Sequence, residues 1–212
     1  MAKKLFITAT NTNIGKTYSS IQILHKLGTL GIKVGAIKPI ETGVDNIPQD
    51  ANKLLTVVKQ YNKNFEKFTP KDICAYTFSL PSAPFCATKE DINIPKILDK
   101  IKELDSLCDF LLIEGAGGLM VPINKNYFMI DLIKDLNCPT LLVTPSYLGC
   151  INETMLSIEL LQKNNINFNW CVNLYKDKDS FANVTKPFYD AYFNSWQTLD
   201  EFVDTLNLND TI

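Results

Sequence analysis

Apolar residues in this chain follow two rhythms. Short runs rich in β-branched and aromatic residues open at Phe6 and recur over 33–37, 73–78, 109–114, 140–144 and 168–175, the length and composition of strands. Between them, apolar residues return at helical spacing over 16–30, 50–61, 94–107, 127–136 and 151–163, for example Ile97, Leu98, Ile101 and Leu104 on one side of their segment. Gly28 and Gly31 are placed where the first helix should stop. The run ending at Ile113 is continuously apolar, as in a parallel strand buried on both faces. Strands alternating with helices predict an α/β fold, a doubly wound and mostly parallel sheet flanked by helices. Residues 62–72 read as loop, 81–85 as a rigid apolar loop with two prolines, and the chain beyond 176 carries no clear pattern.

Composition narrows the function classes. With 212 residues and no Pro/Gly/Ser-rich linker, one domain over 1–212 is expected. A hydrophobic share of 46%, a charged share of 21% and a net charge of −2 describe a globular protein and argue against nucleic-acid binding. The Lys3-Lys4 pair runs straight into a strand, and no apolar run is long enough to span a bilayer, so a cytoplasmic location without membrane association is expected. Six cysteines without a Cys-x-x-Cys pair read as buried thiols, not as a zinc or disulfide framework. His25, the one histidine, lies in the first helix as a partly exposed helix residue.

Chemistry concentrates at the ends of the apolar runs. The first ends in Thr8-Ala9-Thr10-Asn11-Thr12-Asn13-Ile14-Gly15-Lys16-Thr17, and a strand, a small polar loop and a helix start together gather free N–H groups and an ammonium around one point. This suits a polyphosphate, with Lys16 on the β/γ-phosphates and Thr17 on Mg²⁺, although the strict P-loop pattern would place Gly at Thr10. The second strand delivers Lys38-Pro39-Ile40-Glu41-Thr42-Gly43 to the carboxyl edge, where open α/β sheets bind ligands. A solvated Lys before a Pro-initiated turn is the alternative there. Asp50 opens a helix, either as its N-cap or as a carboxylate facing the cradle. Glu114, followed by Gly115-Ala116-Gly117-Gly118, reads as a metal carboxylate at the edge of a central strand. Gly149 ahead of the helix at Cys150-Ile151-Asn152 offers a second anion site.

These segments together resemble the dethiobiotin synthetases, ATP-dependent cyclising ligases of biotin synthesis with a P-loop fold, over about residues 3–175. The resemblance rests on the Thr8–Thr17 loop, Lys38-Pro39 with Thr42-Gly43, Asp50-Ala51, Tyr76-Thr77-Phe78 with Pro81 and Pro84, Glu114 to Gly118, and Leu148 to Asn152. The family carries the same extra residue in its phosphate loop. The resemblance implies catalytic Lys38 and Lys16, and nucleotide binding by Asn13, Ile14, Gly15, Lys16, Thr17, Tyr18 and Asn173. It implies metal binding by Thr17, Asp50 and Glu114, and substrate binding by Thr12, Lys38, Thr42, Gly118, Gly149, Cys150, Ile151 and Asn152, the last four contributed by the partner subunit of a homodimer. The implied substrates are 7,8-diaminopelargonate, CO₂ and ATP with Mg²⁺. Ala9 stands where the family has Gly, Phe85 follows Pro84 where a His is usual, and the segment after Asn173 lacks a Pro-containing loop associated with base recognition. The alternatives are a P-loop regulatory ATPase or GTPase and another ATP-dependent amide ligase. Neither a second loop lysine nor an Asn-Lys-x-Asp signature is present, since Asn173 is followed by Leu174.

Overall fold

The computed structural model describes residues 2–175 and 178–207. The chain begins with β1 (Lys3–Ala9), α1 (Lys16–Thr29) and β2 (Val34–Ile37), the βαβ unit expected from the pattern. Next come β3 (Ile40–Thr42), α2 (Gln49–Tyr61), β4 (Tyr76–Phe78), α3 (Pro84–Ala87), α4 (Ile94–Asp105) and β5 (Phe110–Gly118). A small hairpin of β6 (Pro122–Asn124) and β7 (Tyr127–Phe128) leads to α5 (Met129–Leu136), β8 (Thr140–Thr144), α6 (Cys150–Lys163) and β9 (Phe168–Val172). The C-terminal part folds as α7 (Lys178–Val184), α8 (Lys186–Tyr192) and α9 (Leu199–Thr205).

Among the described residues, five strands form one sheet in the order β2-β5-β1-β8-β9, and every neighbouring pair is parallel. Phe6 and Ile7 of β1, residues 110–113 of β5 and residues 141–143 of β8 are fully buried, as expected of inner strands with helices on both faces. No described helix is long and apolar enough to cross a membrane.

The structure departs from the sequence expectations in physically legible ways. Pro39 lacks an N–H and interrupts β2, but its carbonyl accepts from the N–H groups of Ala75 and Tyr76, so the chain restarts as β3 and pairs with β4 in place of the expected turn. Residues 73–75 are consequently not strand: Pro70–Ile73 form a 3₁₀ turn. Gly28 is not a stop signal. It lies inside α1, where a Cβ would run into the Tyr61 ring of α2, and the chain turns at Gly31, φ 83°. β5 does not end at Glu114 but continues through the glycines. A Cβ on Gly115 would stand 2.9 Å from the Phe6 ring and one on Gly118 2.8 Å from the Thr10 carbonyl oxygen, so bare backbone permits β5 to run beside β1. Between Ile7↔Glu114 and Ala9↔Gly118 the register shifts, a bulge that includes Gly117 at φ 65°. Ala9 is the fully buried last residue of β1 and packs in the core, so its methyl group lies outside the phosphate loop.

The stretch beyond 176 folds because of its aromatic residues. Phe181, Tyr189 and Val172 form a separate buried cluster, flanked by Trp170, Phe193 and Trp196, which covers β9 at the sheet edge.

Candidate active site

Parallel strands put the start of every following loop on one edge, and here they bring together segments far apart in sequence. The β1–α1 loop leaves the sheet centre, Lys38 leaves β2, Glu114 lies in β5 between them, the 145–149 loop leaves β8, and Asn173 leaves β9.

The loop is shaped for N–H groups to face inward. Asn13 and Gly15 adopt left-handed backbone, φ 61° and 103°. A side chain at Gly15 would also collide with the Asn173 amide, which is buried and donates to the Ile14 carbonyl oxygen at 2.8 Å. Asn173 therefore braces the loop from β9. Lys16, 7% exposed, donates to the Asn11 carbonyl oxygen at 2.9 Å across the loop. Burial and the nearby Lys38 charge push the Lys16 amine down to about 8, with Glu114 and Asp50 opposing the shift. Thr12 is exposed at the tip, and its N–H donates to the Asn11 side chain at 2.8 Å. Tyr18 is 51% exposed on the first turn of α1.

Behind the loop lies a fully buried carboxylate. Glu114 Oε1 accepts from Thr17 Oγ1 at 2.8 Å and from Lys38 Nζ at 2.7 Å, while Oε2 accepts from Ser20 Oγ at 2.8 Å. Lys38 also donates to the Gly115 carbonyl oxygen at 3.1 Å and lies 3.5 Å from Asp50 Oδ2. Burial depresses the Lys38 amine more than any other single influence, yet Glu114, Asp50 and Glu41 together outweigh it and hold the ammonium above its ordinary value. The structure thus brings Lys16, Thr17, Lys38, Asp50 and Glu114 into one electrostatic cluster.

The same cluster fits a hard cation. Thr17, Glu114 and Asp50 present oxygen donors around the place that Lys38 Nζ occupies, and Mg²⁺ commonly takes one or two carboxylates with phosphates and water completing its shell. Among the described residues no group of three or more His, Cys, Asp or Glu side chains is arranged to hold a metal ion.

Other candidates are more dispersed. Thr42 ends β3, half-buried, and buried Gly118 lies against the Thr10 carbonyl. Gly149, φ 100°, has no atom within 4 Å of the position a Cβ would take, so the residue preceding α6 borders open space. Cys150 points inward, its thiol 3.7 Å from Thr185 Oγ1 and 3.8 Å from Tyr189 Oη, and its N–H donates to the Tyr147 carbonyl. The Cys150 N–H is thereby taken, and among the described residues at this helix start the N–H groups of Gly149, Ile151 and Asn152 are the ones left to face an external anion. Phe85, 44% exposed, lies in α3 against β3 and β6.

Three participants were not apparent from motif reading. Ser20 supplies the third hydrogen bond to Glu114, one helical turn after Lys16. Glu153 accepts from Thr10 Oγ1 at 3.1 Å and from Tyr147 Oη at 2.9 Å, joining the phosphate loop to α6. Glu41 accepts from the N–H groups of Asp50 and Ala51. Of these only Ser20 carried a signal, an i+4 position from Lys16 on the buried face of α1.

Comparison with known proteins places this geometry in a family. A family model described as an AAA domain matches residues 3–177. The ATP-dependent dethiobiotin synthetase BioD of Sulfurovum sp. is 56% identical over 193 residues, covering 91% of this chain and 92% of the relative. The protein of the same name from Wolinella succinogenes is 36% identical over 212 residues, covering 96% and 98%. Among solved structures, a plasmid partition protein from Borrelia burgdorferi superposes with a TM-score of 0.57 at 11% identity, covering 97% of this chain and 99% of that one. A ParA family ATPase from Chlorobium tepidum gives 0.51 at 14%, covering 92% and 83%. These two likenesses bear on the fold, a parallel sheet of the P-loop NTPase kind, and not on the reaction. With 56% and 36% identity extending over more than nine tenths of this chain and of each relative, the chain belongs to the ATP-dependent dethiobiotin synthetase family.

Proposed function

We propose that this chain closes the ureido ring of dethiobiotin from 7,8-diaminopelargonate, CO₂ and ATP. An amine of the substrate adds to CO₂ and loses a proton, giving an N-carbamate. A carbamate oxygen attacks the γ-phosphorus, and ADP leaves with the electrons of the broken P–O bond. The second amine then attacks the carbonyl carbon of the carbamic-phosphoric anhydride, phosphate leaves, and a proton is lost as the ring closes.

Carbamate and triphosphate repel each other, so the protein must neutralise and align them; no protein nucleophile is needed. The observation that carries this reading is the buried Lys38 ammonium, fixed by Glu114 beside Thr17 and close enough to Lys16 to lower its basicity. In this reading Lys16 holds the β/γ-phosphates, and Lys38 turns from Glu114 to bridge the carbamate and the transferring phosphoryl group. Asn13, Ile14 and Gly15 present N–H groups to the phosphates, and Tyr18 and Asn173 flank the nucleotide. Thr12, Thr42 and Gly118 line the diamine. Thr17, Asp50 and Glu114 would hold Mg²⁺, which would supply charge neutralisation on the phosphates.

The α6 start is read as completing the site of a second copy. Leu148 is 81% exposed in the loop before α6, and Leu156 is 64% exposed on α6, apolar surface suited to a self-complementary contact. Gly149, Ile151 and Asn152 would then offer their N–H groups to the substrate carboxylate across the interface, with Cys150 packed behind them. One domain in the cytoplasm suits this role.

Purified protein supplied with diamine, bicarbonate, Mg²⁺ and ATP should release phosphate and ureido product together. Phosphate release that is indifferent to the diamine contradicts the reading.

A pH dependence follows from Lys16. Its amine is poised at about 8 without ligand, and a bound triphosphate must raise it, so ATP binding above that pH takes up a proton. The Lys16 contribution to affinity is therefore constant below about pH 7 and falls by up to roughly tenfold per unit as pH rises past the free-protein value. Titration calorimetry in two buffers of different ionisation heat should register proton uptake near pH 9 that is absent near pH 7. Equal and negligible uptake at both would remove Lys16 from this role.

A further inference from the structure

Asp50 approaches Lys38 from the first turn of a helix that has no cap of its own. The N-cap position of α2 is Pro48, which makes no side-chain hydrogen bond, so the expected capping role of Asp50 itself is not realised. The cap comes from a neighbouring strand. Glu41 of β3, 6% exposed, accepts from the Asp50 N–H at 2.9 Å through Oε1 and from the Ala51 N–H at 3.0 Å through Oε2. The two oxygens divide between consecutive N–H groups, an arrangement that fixes both the position and the rotation of the helix start.

Burying a carboxylate is costly, and burial does raise the affinity of Glu41 for a proton, partly offset by the two N–H donors. A helix start can be capped more cheaply by Ser, Thr or Asn at its own N-cap. The charge at Glu41 also acts on Lys38, which it helps to keep protonated. Glu41 itself is held in place because β3 pairs with β4 on either side of it, Ile40↔Tyr76 and Thr42↔Phe78. Among the described residues the Asp50 carboxylate itself is paired with Lys38 at 3.5 Å and with the exposed Lys53 at 3.9 Å.

We propose that Glu41 is a positioning residue for the divalent cation: it clamps the start of α2 so that the Asp50 carboxylate faces Lys38 and the metal. This rests on the reading of Asp50 as a metal ligand. The clamp also ties cation binding to β3, whose next residue is Thr42, so the nucleotide and substrate halves of the site share one rigid joint.

Mn²⁺ affinity, measured by electron paramagnetic resonance on the protein–ATP complex, separates this role from a purely structural one. Glu41→Ala should weaken Mn²⁺ by about tenfold or more, the usual cost of losing an outer partner of a metal ligand. Glu41→Gln, which keeps one acceptor oxygen, should fall between it and wild type and carries the test alone if Glu41→Ala does not fold. Metal-free ATP affinity should be unchanged in both. If Asp50→Asn loses Mn²⁺ but the Glu41 variants bind it as wild type does, or lose metal-free ATP equally, the positioning role is overturned. If Asp50→Asn itself binds Mn²⁺ normally, the ligand assignment beneath it fails.

Discussion

Lys38→Ala is expected to lower ligase turnover by about three orders of magnitude, roughly 4 kcal/mol of transition-state stabilisation, while metal-free ATP binds with near wild-type affinity. The split between these effects follows from geometry. Lys38 is anchored by Glu114 and the Gly115 carbonyl and makes no hydrogen bond to the phosphate loop, whereas Lys16 lies across that loop. Removing Lys38 takes away the cation that both anions must share in the transition state, but leaves the loop N–H groups and Lys16 in place. Lys38→Arg should not restore turnover, because a planar guanidinium cannot occupy a buried pocket fitted to a compact ammonium 2.7 Å from Glu114. Steady-state rates beside equilibrium binding of a fluorescent ATP analogue check this, and turnover within tenfold of wild type would remove Lys38 from the reaction.

Glu114→Gln is expected to reduce both stability and activity. The carboxylate is fully buried and accepts from Thr17, Ser20 and Lys38, so its charge is compensated chiefly by that ammonium and two hydroxyls, with Lys16 farther off. A carboxamide has one acceptor oxygen in place of two and turns an N–H₂ toward an existing donor, leaving the buried Lys38 without its nearest counter-charge and with only the more distant Asp50 and Glu41 to offset it. Breaking a buried pair from one side costs about 3–5 kcal/mol, which for a chain of this length lowers the melting temperature by roughly 10 °C. Mg²⁺-dependent turnover should fall by about two orders of magnitude or more at a temperature where the variant is still folded, since a proposed metal ligand and the anchor of Lys38 are lost together. Thermal melting monitored by circular dichroism, with rates measured well below the transition, separates the two losses. A variant as stable and active as wild type would mean that the pair is incidental.

Much of the site was legible in the sequence because the chemistry recurs at strand ends. Once β1, β2 and β5 are recognised, parallel order places Lys16, Lys38 and Glu114 on one edge, and the structure puts them in a single electrostatic cluster. The strand over 140–144 and the buried character of β5 were equally plain, because continuous apolar runs have few other uses. What remained hidden depends on long-range backbone pairing. Nothing local marks Ile40–Thr42 as a strand, since its partner is 36 positions away at Tyr76, and nothing marks Glu41 as the cap of a helix that begins at Gln49. The continuation of β5 through its glycines was missed because glycine weakens a strand on its own; here its bareness makes room for Phe6 and the Thr10 carbonyl. Ala9, which stood out against the family pattern, belongs to the end of a strand, and its methyl is ordinary core. The C-terminal helices escaped periodicity because each is short; α7 and α8 are held by aromatic packing on β9, and α9 by Leu199 and Phe202 in the main core.

The central claim is that ATP phosphorylates a carbamate held between Lys38 and Lys16. The most direct test is a single-turnover reaction with ¹⁸O-labelled CO₂ in unlabelled water, quenched before the label exchanges, with the released phosphate analysed by mass spectrometry. The mechanism requires that one oxygen of the phosphate comes from CO₂ while the other CO₂ oxygen stays in the ureido carbonyl. Phosphate whose new oxygen comes from water, released whether or not the diamine is present, would contradict it.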